Sequence, residues 1–269
     1  MSHNNDGRPH FLYHAQVLAL GGRIDKPCCE VIPSQCSVAL SESGGEGYAQ
    51  VRDFNWKQII RFDEATAYVA GSYEDDPENP GKRLYNTLAT VTIRNLNIAN
   101  MLLAEHIVTR ISSRHRENDP EGEINFNGSL VEGLRIGGVP HEVELDCGLF
   151  DTYPTFDKFC NMDKNDLMPL AGRVAGWDPA DCDKNGVPRQ HGAVVTSAMR
   201  SVQPESAYHG IKHDGNIIYV EQFGTIRLAN VLMKPGQRRL TMFMVELGCP
   251  VSGPVSSGGG EGNGTPIIP

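Results

Sequence analysis

The chain has 269 residues, enough for one large domain or two small ones with a sizeable core. Hydrophobic residues make up 39% and charged residues 21%, as in a soluble globular protein, and 29 Gly and 17 Pro suit many turns and short strands. The net charge of −9 argues against nonspecific binding to nucleic acid, which depends on Lys and Arg neutralising phosphates.

Residues 1–10 are polar and read as a flexible N-terminus. They lack a basic region followed by an apolar run, so a Sec-type signal peptide is not expected. No apolar stretch is long enough to span a membrane. The default location is therefore cytoplasmic, with a non-Sec export route as the alternative. Strands are predicted over 11–20 and near 36–40, 46–52, 65–72, 86–98, 105–114 and 123–136, where apolar alternation meets β-branched residues. Residues 98–111 also fit a helix, because Leu103, Ile107 and Ile111 recur every four positions. The dense Ile107-Val108-Thr109 run favours a strand.

From His141 to Leu145, Val143 and Leu145 share one strand face, with Glu142, Glu144 and Asp146 on the other. The character changes at about 147–192, read as an insertion in a single β-rich domain spanning 11–250. Within it, Phe156, Phe159 and Cys160 have helical spacing, which predicts a short helix over 155–162 with Thr152 or Thr155 as its cap. Strands resume at 193–202, 216–229 and 238–248. Residues 251–269 are rich in Gly, Ser and Pro and read as a flexible or extended tail. The apolar end of that tail, Pro266-Ile267-Ile268-Pro269, is a candidate for docking on its own domain or on a neighbouring subunit.

A short pattern recurs along this chain. Val51-Arg52-Asp53-Phe54-Asn55-Trp56 returns as Ile93-Arg94-Asn95-Leu96-Asn97-Ile98 and as Val131-Glu132-Gly133-Leu134-Arg135-Ile136, with a looser copy at Val220-Glu221-Gln222-Phe223-Gly224-Thr225. In each of the first three, the apolar positions slip out of the two-residue period of a strand. A β-bulge or tight bend is therefore expected at Asp53, Asn95 and Gly133, residue types that tolerate left-handed backbone.

Candidate chemistry is sparse. Asp181, Asp183 and Asn185 alternate ahead of Gly186, as in the start of a calcium loop, and calcium is the one cofactor they suggest. The twelfth position, where such a loop needs a bidentate acid, is Gly192, so a plain polar turn competes with that reading. His209 and His213 with Asp214 lack an identifiable third metal ligand. Glu142, Glu144 and Asp146 read as a solvated strand face before they read as acid–base groups. The seven cysteines form no paired C-x-x-C, and most are expected to be reduced and packed.

Ala89-Thr90-Val91-Thr92-Ile93-Arg94-Asn95-Leu96-Asn97-Ile98 and the segment from Gly128 to Pro140 resemble the repeated signatures of bacterial choice-of-anchor P proteins. The stretch from Arg238 to Gly248 is similar to the end of uncharacterised bacterial relatives of them. That resemblance implies a β-rich surface protein and no catalytic residues. The lack of a signal peptide and of a transmembrane sorting tail argues against anchoring.

The expected fold is thus all-β or β-dominated, a sandwich or distorted barrel built from related β units with a short helical insertion; a β-trefoil is the alternative. The expected function is that of a non-catalytic, self-associating structural or binding protein of a bacterium, joined through sheet edges or the C-terminal tail. Two other readings remain open. One is a small-molecule enzyme with its site in 141–215; the other is a calcium-dependent carbohydrate-binding module.

Overall fold

The computed structural model describes residues 10–26, 29–171, 189–190, 193–204, 210–248 and 251–267. Its strands are β1 (His10–Ile24), β2 (Glu30–Ala39), β3 (Gly45–Trp56), β4 (Ile60–Asp75), β5 (Arg83–Ile98), β6 (Leu102–Arg116), β7 (Glu123–Asn125), β8 (Leu130–Glu132), β9 (Leu134–Ile136) and β10 (Val139–Leu145). Three short helices follow, α1 (Cys147–Thr152), α2 (Phe156–Cys160) and α3 (Lys164–Ala171). The remaining strands are β11 (Arg189–Gln190), β12 (Ala193–Ser197), β13 (Met199–Gln203), β14 (Ile211–Asp214), β15 (Ile217–Val220), β16 (Gly224–Lys234), β17 (Gln237–Leu247) and β18 (Gly253–Ile267).

Two large antiparallel sheets pack face to face as a β-sandwich. The first runs β11-β12-β16-β17-β18-β1-β2, with the β14–β15 hairpin attached to β16. The second runs β13-β10-β9-β6-β5-β4-β3, with β7 and β8 also on β6. The expected sandwich is therefore the architecture, and neither a closed barrel nor a trefoil forms. Each sheet keeps open edges, and the second is a meander whose strands follow one another in sequence from β3 to β6.

Period-two alternation drives the packing. Along β4, Ala65, Ala67 and Val69 are buried, while Thr66, Tyr68 and Ala70 lie on the other face. Along β5, Ala89, Val91 and Ile93 do the same, and β6 contributes Ile107 and Ile111. They meet Ala15, Val17, Leu240 and Phe243 of the first sheet in one continuous core. Each fully buried Val, Ile or Phe contributes about 1.5–3 kcal/mol over leaving it in water. Residues 98–111 are strand, not helix, from Leu102 onward. The predicted short helix is α2, capped by Thr155, whose hydroxyl accepts from the Lys158 amide.

One segment changes sheets. β12 belongs to the first sheet and β13 to the second, with Ala198 as the corner between them. The Ala198 amide donates to the Ala229 carbonyl of β16 at 2.9 Å, and its own carbonyl accepts from the Asp146 amide at 2.8 Å. Ser197 steadies the corner by donating to the Leu228 carbonyl and accepting from the Met199 amide at 3.0 Å each.

The C-terminal segment corrects the sequence reading. Residues 253–267 are no tail: they form β18, a central strand hydrogen-bonded to β17 on one side and β1 on the other. Ile267 lies opposite His10, so residues 253–267 are not free to reach a neighbouring subunit. Ile268 and Pro269 of the docking candidate lie outside the described residues. Glycine-rich composition suggested a chain unable to build a core. Here the small residues instead allow close packing, with Gly260 and Gly262 facing the Ile111 side chain. Among the described residues no helix is long and apolar enough to cross a membrane.

Truncation after Leu247 is expected to abolish the cooperative thermal transition seen by circular dichroism, because losing β18 forfeits more than the about 5–15 kcal/mol that keeps a domain folded. A truncated chain that melts cooperatively near the full-length temperature would contradict the central role of this strand.

Candidate functional site

The three positions where the apolar pattern slips carry the same backbone device. Asp53, Asn95 and Gly133 have φ of 52°, 53° and 63°, in the left-handed region. They are bends, not bulges. Arg52 faces Glu64 and Phe54 faces Phe62, so no residue is inserted at Asp53. The register is likewise continuous past Asn95, where Glu64 faces Arg94 and Arg61 faces Asn97. The looser copy at 220–225 has the same left-handed backbone at Gln222, with φ of 62°, but there Glu221, Gln222 and Phe223 form the turn between β15 and β16.

The register places these bends on one line. Asp53 is opposite Asp63, which is opposite Asn95, then Glu105, then Gly133. All five are exposed. Burial changes phase across the line in each strand: Phe62 to Ala65 in β4, Ile93 to Leu96 in β5, Ala104 to Ile107 in β6. The result is a transverse crease on the outer face of the second sheet. Asn95 Nδ2 donates to Asp63 at 2.7 Å, and Glu105 crosses Gly133 so closely that any Cβ there would collide with it.

The crease opens into a groove of ≈ 480 Å³ lined by Arg61, Asp63, Asn95, Glu105 and Arg135. A second hollow of ≈ 530 Å³ adjoins it past Gly133, toward Pro140, His141 and Pro204. Within the groove Arg61 bonds the Asn100 side chain at 3.2 Å, and ion-pairing groups flank it. Arg52 meets Glu64 at 3.1 Å, and His106 meets Glu132 at 3.2 Å. Such a surface suits polar recognition. Among the described residues no group of three or more His, Cys, Asp or Glu is placed to hold a metal ion.

The first sheet has the matching device, which the sequence reading missed. Cys36, Gly258 and Ala229 have φ of 49°, 65° and 45°. With Ala19 and Met242 between them, they line up across β2, β1, β18, β17 and β16. This line is buried, and a Cβ at Gly258 would lie 2.8 Å from the Thr109 hydroxyl of the opposite sheet. A signal was present: Ile226 and Leu228 are out of phase with Val231 and Met233. Burial pushes the Cys36 thiol up to about 11, so it stays protonated and donates to the Ala65 carbonyl at 3.3 Å.

Beside this line sits a buried carboxylate. Glu261, 3% exposed, accepts from Arg239 Nη2 at 2.6 Å, Gln16 at 3.1 Å and Gln237, with His14 Nε2 at 3.2 Å. Burial alone would raise its pKa. The Arg239 guanidinium, with help from Gln16 and His14, outweighs that and holds it below the ordinary glutamate value. A polar cleft of ≈ 340 Å³ lies alongside, floored by Gly259 and Gly260.

Other predicted candidates scatter. Asp181, Asp183, Asn185 and His209 lie outside the described residues. His213 stacks on His141 with ring centroids 5.6 Å apart. Glu142 and Glu144 are exposed, and Glu144 pairs with Arg200 at 3.2 Å. Asp146 caps α1, accepting from the Leu149 amide at 3.2 Å. Among the described residues Cys29, Cys36 and Cys147 are free thiols, and Cys160 is buried.

A family model, a domain of unknown function (DUF8256), matches residues 11–169, more than half of the chain. The chain belongs to this family. The matched region holds β1 to β10 and the outer crease, whereas Glu261 and the rest of the first sheet lie beyond it. Neither the curated proteins nor the solved structures compared gave a match.

Replacing Asn95 separates backbone hand from side-chain bonding. Asn95→Gly is expected to cost under about 1 kcal/mol, since glycine keeps the left-handed bend. Asn95→Val is expected to cost about 2–3 kcal/mol by urea denaturation. Equal losses would show that backbone hand is not the constraint.

For Glu261, the folded pKa lies below the unfolded value, so its contribution is complete above about pH 4.5 and is lost as pH falls through the folded pKa. Glu261→Gln is expected to lower neutral-pH stability by about 1.5–3 kcal/mol and to flatten the acid limb of the stability profile. An acid limb identical to that of the parent would assign acid sensitivity elsewhere.

Proposed function

We propose that the protein is a non-catalytic, self-associating structural or binding protein, joined through a sheet edge. The observation that supports this is the free edge at β3. This strand runs for 12 residues and, among the described residues, pairs only with β4. Edge strands are usually blunted by brevity, Pro, Lys or a covering element, because unpaired N–H and C=O groups template further pairing.

The other described edges show such protection. β2 carries Pro33, β13 spans five residues and is followed by Pro204, and β14 spans four. β3 contains neither Pro nor Lys, and it presents Tyr48 at 62% exposure. The polar outer crease reaches this edge at Asp53. The resemblance to β-rich surface proteins agrees with such a role.

Light scattering and sedimentation over a concentration series test this. The full chain is expected to self-associate, and Tyr48→Lys, which puts a charge on the edge, to weaken association about tenfold while leaving the circular dichroism spectrum unchanged. A parent chain that stays monomeric throughout, or a variant that associates equally well, overturns the proposal.

A further inference from the structure

We propose that a second copy of this chain adds to β3 antiparallel about a two-fold axis at Ala49, fusing the two second sheets into one; this rests on the edge association argued above. The straight part of β3 is bounded on both sides. Gly45, with φ of 97°, follows the turn bond from the Gly44 amide to the Ser41 carbonyl and bounds it on one side, and Asp53, with φ of 52°, bounds it on the other. The midpoint of 46–52 is Ala49. An antiparallel partner meeting the whole straight stretch, and none of the bent one, must cross at that residue.

The sequence around the midpoint is self-complementary in this register. Ala49 faces its own copy, Tyr48 faces Gln50, Gly47 faces Val51, and Glu46 faces Arg52. Because a two-fold contact repeats each pair, two Glu46–Arg52 pairs form. On one face Glu46, Tyr48, Gln50 and Arg52 are all exposed. On the other, Gly47 and Ala49 are half-buried, and a Cβ at Gly47 would lie 2.7 Å from the Val38 side chain of β2, so this face is already packed within the chain. A shift of two residues in the partner, which moves the crossing by one residue to Gln50, would place Arg52 against Tyr48 and Glu46 against Phe54, leaving both charges unmatched.

Two present contacts are compatible with this. Arg52 already bonds Glu64 at 3.1 Å, yet its side chain is 68% exposed and a guanidinium has five donors. The Cys36 thiol touches the Ala49 carbonyl at 3.4 Å and the Ala65 carbonyl of β4 at 3.3 Å, so it sits between β3 and β4 and leaves the outer edge of β3 to the partner. Opposite charges across neighbouring strands stabilise the pairing and like charges oppose it.

The test uses full chains in two tagged versions, Tyr48→Cys and Gln50→Cys. Residues directly opposite in an antiparallel pair lie within disulfide reach. Under mild oxidation the mixture is expected to give a cross-link joining position 48 of one version to position 50 of the other, in excess of cross-linking by either version alone. Charge exchange gives a second readout. Glu46→Arg or Arg52→Glu alone is expected to weaken association about tenfold, and the two together to restore it. A parent chain that never associates overturns edge association and this register with it. A parent that associates, with no preferential mixed cross-link and no rescue by the double exchange, overturns the register alone.

Discussion

Everything in this sandwich depends on keeping strand register while side chains exchange faces. A strand's faces alternate every two residues, so a slip of one residue would turn its whole apolar set outward. A bulge solves this by inserting a residue, which then displaces the register of the partner. At the two creases this chain takes another route. A left-handed residue turns the strand over without adding length, and every second strand makes the turn at the same level. In the second sheet the turning strands are β3, β5 and the β8–β9 junction; in the first they are β2, β18 and β16. The strands between them conform, as the burial of β4 and β6 shows. Each non-glycine left-handed residue costs about 1–2 kcal/mol, which burial of the re-aimed apolar residues offsets.

The two creases are used differently because the sheets face each other. The line in the first sheet is buried and touches the opposite sheet, where the Thr109 hydroxyl donates to the Gly258 carbonyl at 2.8 Å. The line in the second sheet lies on the outside, where Asp63, Asn95 and Glu105 meet solvent. A buried guanidinium adds a further tie. Arg238 of β17, 1% exposed, donates to the Ile124 carbonyl at 2.8 Å and the Tyr153 carbonyl at 2.9 Å, and lies over the Phe150 ring. Burial lowers its pKa to about 10, so it stays charged at neutral pH. Glu121 accepts from the Phe156 and Gly236 amides close by. Through these groups α1 and α2 are seated on the sandwich as part of its core.

The β scaffold was legible because period-two burial writes itself into sequence, and the bends at Asp53, Asn95 and Gly133 were legible because a change of phase does too. The same signal ran through Ile226 to Met233 but escaped notice, since Ala229 is not a residue type associated with left-handed backbone. β18 was illegible for a physical reason. Its pairing partners supply the side chains, so a strand of Gly and Ser carries almost no apolar pattern of its own. Arg238 and Glu261 carry no sequence signal of burial, because what buries them arrives from segments more than twenty residues away, with His14 and Glu261 separated by 247 positions.

The placement of the strands along the chain bears on which edge is left open. β1 and β17 each have a free side until β18 fills the space between them, so the first sheet is completed by the last strand described. Remote pairings of this kind form more slowly than the hairpins that link β3 through β6. The second sheet receives no such closing strand. Its meander begins at β3, and the preceding strand, β2, belongs to the first sheet. The backbone groups on the outer side of β3 therefore have no strand among the described residues to bond, and the left-handed turn at Asp53 limits how much of that edge another strand can follow. The device that keeps each sheet in register thus also sets the length of edge available to a partner.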